Sequence, residues 1–190
     1  MKQLFFYLSI FLLFTSCIKN EPKPKALGAD AEITQKVKTL YATYGKSSDV
    51  IYDKAIPKDL FSAELENTFQ EAINTSKADI EKVKKSDHPT DKPLLMEGST
   101  FTSLYEGYTT YKIKSINLME STKPMGMAAD VTIDFENSQV SPKIIWSDTV
   151  HLVNTLDSGW KVDNITFSEK FSGGKDLKSN LQSFISGAKK

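Results

Sequence analysis

The fold is decided by one stretch of the chain, residues 144–167, which reads IIWSDTVHLVNTLDSGWKVDNITF. Apolar and polar residues alternate on both sides of the turn sequence DSG at 157–159. This period of two predicts two half-buried strands, over 144–156 and 160–167. Because the turn between them is short, the two strands must be antiparallel neighbours, and we predict a β-hairpin.

Two further strands are predicted upstream of the hairpin. Residues 130–136 alternate apolar and polar side chains throughout, which is typical of a strand with one face exposed to solvent. In the earlier segment Tyr111 and Ile113 share one parity, whereas Ile116 has the other. A change of face of this kind predicts a β-bulge near Ser115.

Helices are predicted before and after these strands. The first has Asp30 as its N-cap and Gly45 as its stop, with apolar residues at helical spacing between them. The second covers about 59–85, with a weak point at 74–76 where we expect a kink or a break. A short closing helix follows the two glycines at 173–174.

Helices that come first and strands that follow predict an α+β fold and exclude a βαβ arrangement. We expect the N-terminal helices to pack on a curved four-stranded antiparallel sheet, with a short C-terminal helix closing the structure. Residues 30–190 are long enough to form a single domain with its own core.

The start of the chain predicts a signal peptide over residues 1–16. A basic residue, Lys2, precedes an eleven-residue, mostly apolar run at 4–14, too short for the roughly 20 residues that cross a bilayer. The sequence then reads Phe-Thr-Ser-Cys, which looks like the lipobox at which bacteria attach lipid to a cysteine. We therefore predict lipidation of Cys17; an ordinary signal peptide that contains a cysteine is the alternative.

This leader determines the predicted location. Residues 17–29 are polar and carry two prolines, so they are interpreted as the lipid anchor and a tether. The domain is expected in the cell envelope, anchored through Cys17 to a membrane, with the outer membrane favoured. It would lie in the periplasm or on the cell surface, and the sequence leaves that choice open.

Composition narrows the possible functions. The chain of 190 residues has 24 basic and 24 acidic residues, so it has no excess of positive charge to indicate nucleic-acid binding. Every basic residue is lysine, which lowers the expectation of a phosphate site because arginine binds phosphate in bidentate fashion. A genome biased toward lysine codons explains the absence of arginine equally well and is the interpretation that we prefer. Cys17 is the only cysteine, and an intrachain disulfide is therefore impossible.

Seven short segments, spread over residues 30–184, occur in the order and spacing of one bacterial family. They are Val37-Lys38-Thr39-Leu40-Tyr41, Lys92-Pro93-Leu94-Leu95, Gly98-Ser99-Thr100-Phe101-Thr102-Ser103, Glu106-Gly107, Ala129-Asp130-Val131, Trp146-Ser147-Asp148-Thr149-Val150 and Gly159-Trp160-Lys161-Val162-Asp163-Asn164-Ile165. In these segments the chain resembles domain-of-unknown-function family 3828. The resemblance implies a nuclear transport factor 2-like (cystatin-like) cone fold and a bacterial lipoprotein. The family has no established activity, so the resemblance implies no catalytic residues.

Asp148 is the most interesting candidate for chemistry. It shares strand parity with Trp146, so we expect both side chains to face the interior of the fold. A carboxylate on the wall of an apolar pocket can act as a general base. Alternatively, Asp148 pairs with a lysine or caps a bulge, and Asp163 anchors the hairpin.

An aromatic group leads into the first strand of the predicted sheet. It consists of Phe101, Tyr105, Tyr108 and Tyr111. These side chains can either line a ligand pocket or fill the core. Tyr105 joins Asp148 and Trp146 as the third candidate pocket residue.

The sequence predicts no metal site, cofactor or nucleophile. His88 and His151 are the only histidines, and they lack the spacing of paired metal ligands. We expect His151 on the sheet face opposite Trp146. A Ser-His-Asp site is not predicted, because the chain has no nucleophile-elbow sequence.

These observations favour a lipid-anchored, non-enzymatic module that binds a small apolar ligand or a protein of the envelope. An enzyme is the second hypothesis, an isomerase or dehydratase type with Asp148 as general base in the pocket of the cone. The third is an inhibitor or immunity-type protein that binds an envelope enzyme through its sheet.

Overall fold

The α+β fold class is confirmed. The computed structural model describes residues 28–45, 50–122, 125–155 and 159–188. Their elements are α1 (Ala29–Tyr44), α2 (Val50–Asp53), α3 (Ala63–Lys84), β1 (Thr110–Thr122), β2 (Met125–Asn137), β3 (Ile144–Thr155), β4 (Gly159–Thr166) and α4 (Leu177–Gly187). The predicted signal peptide, Cys17 and most of the tether lie outside the described residues, as does most of the predicted turn at 157–159.

Helix α1 begins two residues earlier than predicted. Its N-cap is Gly28, in the left-handed conformation at φ 103°, and the predicted N-cap Asp30 lies inside the first turn. An acidic residue is favourable there too, because the helix dipole makes the N-terminus positive. The predicted stop is confirmed, since the N–H of Gly45 donates to the carbonyl of Tyr41 at 3.0 Å.

Helix α3 begins at Ala63 rather than at Asp59. Asp59 has a positive φ of 62°, which a right-handed helix cannot contain. Ser62 is the N-cap, and its hydroxyl accepts a hydrogen bond from the N–H of Leu65. The helix then runs without a break through 74–76, so the predicted weak point is wrong.

The four strands form one antiparallel sheet in the order β1-β2-β3-β4. The predicted bulge is confirmed, since the β1–β2 register shifts between Ile113 and Ser115. A second shift, between His151 and Leu152, was not predicted; it leaves Asp163 of β4 without an opposite residue. This bulge allows both Val162 and Ile165 to be buried.

The core lies between the inner face of the sheet and the helices α1, α3 and α4, all of which contact β4. An extended segment at 60–62 pairs with the outer edge of β4: Ser62 N–H donates to the carbonyl of Val162 at 2.8 Å. The pairing covers an edge strand that would otherwise present free backbone groups. Phe61 next to it stacks on Phe101, with centroids 5.9 Å apart.

Candidate functional site

Asp148 and Trp146 lie together on the inner face of β3. Asp148 is only 1% exposed, and the indole of Trp146 is buried beside it. His151 lies on the opposite face, half-exposed, as its parity predicted. Tyr105 is not part of this buried cluster, because 60% of it is exposed to solvent.

Five hydrogen-bond donors surround the carboxylate of Asp148. Oδ2 accepts from the Thr102 hydroxyl at 2.9 Å, the Ser103 N–H at 2.9 Å and the Trp146 indole at 3.3 Å. Oδ1 accepts from the Ser103 hydroxyl and, at 3.0 Å, from the Ser168 N–H. These donors satisfy the lone pairs of an ionised carboxylate without a cation.

The partners of Asp148 differ from those considered in the sequence analysis. They are neutral hydroxyl, indole and backbone groups, and no ion pair of Asp148 occurs among the described residues. The carboxylate therefore ties the loop at 102–103 and the segment that follows β4, at Ser168, to the centre of β3. A buried charge with these contacts fixes the position of two loops.

The negative charge of Asp148 also affects the pKa of Tyr41 in α1. Burial raises the pKa of the Tyr41 hydroxyl well above its usual value, and the negative charge of Asp148 raises it further. Tyr108 and Tyr111 pack on the same ring, with centroids 5.9 and 5.1 Å from that of Tyr41. With Phe101, they fill the core, as the second alternative predicted, and Tyr105 is the exception.

A surface cleft of about 320 Å³ lies above this buried cluster. One wall is the loop at 95–105, and the other is formed by the segment at 167–173 and helix α4. Its apolar lining consists of Leu95, Met96, Tyr105, Phe167, Phe171, Leu177, Leu181 and Phe184. Its volume is at the lower end of the range for small-molecule sites.

The floor of the cleft is polar and separates it from Asp148. Thr102 and Ser103 line the cleft and donate their hydroxyls to the carboxylate behind them. Neither Asp148 nor Trp146 is among the lining residues. The structure thus brings two of the three predicted site residues together beneath the cleft and places the third at its mouth.

Five further polar residues line the cleft: Glu97, Ser99, Thr100, Ser172 and Asn180. The hydroxyl of Ser99 is buried and has no hydrogen-bond partner among the described residues. Glu97 is the only charged residue of the lining, and its carboxylate pairs with Lys92 at 2.6 Å. The lining of the cleft is therefore mixed, with polar and apolar surface in similar amounts and one buried hydroxyl that has no partner among the described residues.

A chain of side-chain hydrogen bonds crosses the outer face of the sheet. Asp130 Oδ1 lies 2.6 Å from Nδ1 of His151, and Nε2 of the same ring lies 2.7 Å from Oγ1 of Thr166. The sequence analysis placed His151 on this face but missed its partners. A parity argument assigns residues to a face, whereas this contact between β3 and β4 is diagonal and depends on the unpredicted bulge.

Asp163 fastens helix α4 to the sheet. Both of its carboxylate oxygens accept from Nζ of Lys178 at 3.0 Å, and Glu64 of α3 accepts from the same nitrogen at 2.8 Å. Partial burial of Lys178 favours the neutral amine, but these two carboxylates outweigh it and raise the pKa of Lys178. The bulged residue of the hairpin thus positions the helix that forms one wall of the cleft.

Within the described part of the chain, no group of three or more histidine, cysteine and acidic side chains is arranged to hold a metal ion. None of the described helices is long and apolar enough to cross a membrane. No protein-family model, curated protein or solved structure matches the chain.

Proposed function

We propose that this protein is a lipid-anchored binding module of the cell envelope, and that the cleft between the loop at 95–105 and α4 holds a small, largely apolar ligand. The observation that carries the proposal is the lining of the cleft. Apolar side chains on both walls lie beside polar ones, and the buried hydroxyl of Ser99 has no partner among the described residues. A ligand with an apolar body and one hydrogen-bonding group fits this lining.

The position of Asp148 favours binding over catalysis in the cleft. A general base has to reach the proton that it removes, directly or through one water molecule. Thr102 and Ser103 lie between Asp148 and the cleft, and their hydroxyls already donate to its oxygens. These contacts support a structural role for the carboxylate and weigh against the isomerase or dehydratase alternative.

We also propose that the domain belongs with the nuclear transport factor 2-like cone folds, through domain-of-unknown-function family 3828. Support comes from the order of the elements, with helices first, a four-stranded antiparallel sheet and a short final helix. The most specific segments of the resemblance are neighbouring strands of this sheet, β3 and β4.

The anchor is a separate part of the proposal and has its own test. Lipid on Cys17 would hold the domain at the envelope membrane, the outer membrane in our proposal, with residues 18–29 as a tether. Cells given an alkyne-labelled fatty acid are expected to label the wild-type chain and not a Cys17→Ser variant. Equal labelling of both would contradict the anchor.

The ligand proposal is tested by native mass spectrometry. Residues 22–190, purified without denaturation, are incubated with an extract of the envelope of the native host and then desalted. We expect a discrete extra mass that is lost when the protein unfolds, and its value gives the ligand class. A clean mass of the protein alone, or a mass that matches a protein partner, would contradict the ligand proposal; the second result would favour the docking alternative.

A further inference from the structure

The hydrogen-bonded chain on the outer face of the sheet joins three strands through three side chains. Asp130 of β2 lies directly opposite His151 of β3. Thr149, two residues before His151, lies opposite Thr166 of β4, so the ring of His151 reaches Thr166 diagonally. The bulge at Asp163 shifts β4 relative to β3 next to these contacts, and bulges commonly redirect side chains in this way.

The two nitrogens of His151 have different kinds of partner. A carboxylate accepts a proton and does not donate one, so the ring donates Nδ1–H to Asp130. In the neutral ring Nε2 then carries the lone pair and accepts the hydroxyl proton of Thr166 at 2.7 Å. A hydroxyl on one nitrogen and a carboxylate on the other is the arrangement that activates a nucleophile in acyl-transfer enzymes, recognised by geometry and not by sequence order.

The group is accessible from solvent. The side chains of Asp130 and His151 are 39% and 32% exposed, and Thr166 is half-buried. It lies on the sheet face opposite the buried cluster of Asp148 and Trp146, so its chemistry does not involve the cleft. A small reagent can therefore approach the Thr166 hydroxyl while the cleft is empty or occupied.

We propose that Thr166 is a nucleophile toward activated carboxylic esters, with His151 as its general base and Asp130 as the positioning residue. Oγ1 of Thr166 bonds to the ester carbonyl carbon while its proton moves to Nε2 of His151. The bond from that carbon to the leaving oxygen then breaks, and His151 returns the proton to this oxygen. In the second half of the reaction, water loses a proton to the same nitrogen and bonds to the acyl carbon. The bond from that carbon to Oγ1 of Thr166 then breaks, and His151 returns the proton to Oγ1 as the acid leaves.

The surroundings of Thr166 limit the substrate class. The nearest helix N-terminus is that of α4, whose Asp176 forms an isolated bridge with Thr166. Two N–H groups of its first turn are already bonded: that of Lys178 to Asn164, and that of Ser179 to Asp176. Since these donors are not free to stabilise an oxyanion, the site needs a good leaving group, and we assign it aryl esters rather than amides.

The experiment uses the purified full chain and two probes, p-nitrophenyl acetate for turnover and an alkyl fluorophosphonate for the nucleophile. In the second reaction the Thr166 oxygen bonds to phosphorus and fluoride leaves. We expect one phosphonyl group per chain, mapped to Thr166 by peptide mass spectrometry, and no adduct on a Thr166→Ala variant. Thr149→Ala is the matched control, since this threonine shares the same face, and it should react like the wild type.

The role of the histidine is tested by removing the base. His151→Ala is expected to lower both rates at least about 100-fold, the usual contribution of a general base, and added imidazole should restore part of the phosphonylation of Thr166. Because the chain of hydrogen bonds also joins three strands, His151→Gln is made in parallel, as it keeps a hydrogen-bonding side chain and has no base. Asp130→Ala should lower the rates, and Asp130→Glu should recover part of the loss.

Three results would overturn the proposal. They are an adduct on a residue other than Thr166, no adduct at all, or wild-type rates in folded His151→Gln. A purely structural chain of hydrogen bonds would lower the melting temperature of the variants and show no response to imidazole.

Discussion

Trp146 and Asp148, two residues apart on β3, bind the same hydroxyl group. Oγ1 of Thr102 accepts a hydrogen bond from the Trp146 indole at 3.0 Å and donates to Oδ2 of Asp148 at 2.9 Å. Hydrogen bonds to β3 therefore fix the position of the loop that forms one wall of the cleft. Phe171, on the other side of the cleft, packs against the same indole with centroids 6.0 Å apart.

This relationship predicts that Asp148 is a strong determinant of stability. Asp148→Ala removes the acceptor of the Thr102 hydroxyl, the Ser103 hydroxyl and the Ser103 N–H in a buried site, and each such group costs about 1–3 kcal/mol. We expect a loss of at least about 3 kcal/mol in the free energy of unfolding, measured by urea titration. The matched control is Asp134→Ala on the outer face, where a partly exposed aspartate binds Ser147 and Lys114 and the loss should stay near 1 kcal/mol. Equal losses in both variants would contradict the structural role of Asp148.

Because several tyrosines are buried, we predict that the free energy of unfolding decreases at alkaline pH. Burial raises the pKa of Tyr44 to about 12, with Glu66 adding to the effect, and it raises the pKa of Tyr41 and Tyr108 as well. In the unfolded chain these hydroxyls ionise near pH 10. The folded state therefore holds more protons above pH 10, and stability that is complete below this pH decreases as the pH rises.

The measurement is the free energy of unfolding at pH 8, 10 and 11. Tyr44→Phe is the informative variant, because the Tyr44 hydroxyl is buried without a partner among the described residues. At pH 8 this variant should be as stable as the wild type or more stable. Between pH 10 and 11 its free energy of unfolding should fall less steeply than that of the wild type. A wild-type free energy that stays constant up to pH 11 would refute this prediction.

Gly98 is predicted to maintain the loop that carries Tyr105. It has a positive φ of 68°, and a Cβ at this position would overlap the Tyr105 ring. Gly98→Ala should therefore cost more stability than Gly107→Ala, which has a similar φ of 74° but only ordinary contacts around a Cβ. The positive φ costs an alanine about 1–2 kcal/mol at either position. The difference in stability between the two variants therefore measures the contact with Tyr105. Identical melting temperatures would show that the ring does not pack on Gly98.

The sheet was predictable because its signal is local. Alternation along each strand assigned the hairpin and the inward direction of Asp148 and Trp146, and a change of parity located the bulge near Ser115. The N-cap of α1 was misassigned because aspartate and glycine are both good caps, and the conformation of Gly28 decided between them. Helix α2 was missed since four residues are too few to show a period.

The candidate sites were harder to predict because they depend on contacts between distant segments. The cleft is built by the loop at 95–105, which has no periodic pattern, and by α4, which meets it only in the folded chain. The contact between His151 and Thr166 requires the register of β4, and a one-residue bulge determines that register. The alternation of residues along β3 correctly predicted that Asp148 is buried. It did not predict that Thr102 and Ser103 separate Asp148 from the cleft.

The most direct test of the ligand proposal is to occupy the cleft with a large side chain of the protein itself and to measure whether the protein still binds the ligand. Gly173 lines the cleft and has open space around the position of a Cβ, so Gly173→Trp adds an indole at the cleft without crowding at its Cβ. Gly187→Trp is the matched control, because Gly187 has the same open surroundings and does not line the cleft. In native mass spectrometry after incubation with envelope extract, we predict that the ligand mass is lost from Gly173→Trp and retained by Gly187→Trp. Retention of the same mass by both variants would contradict binding in the cleft.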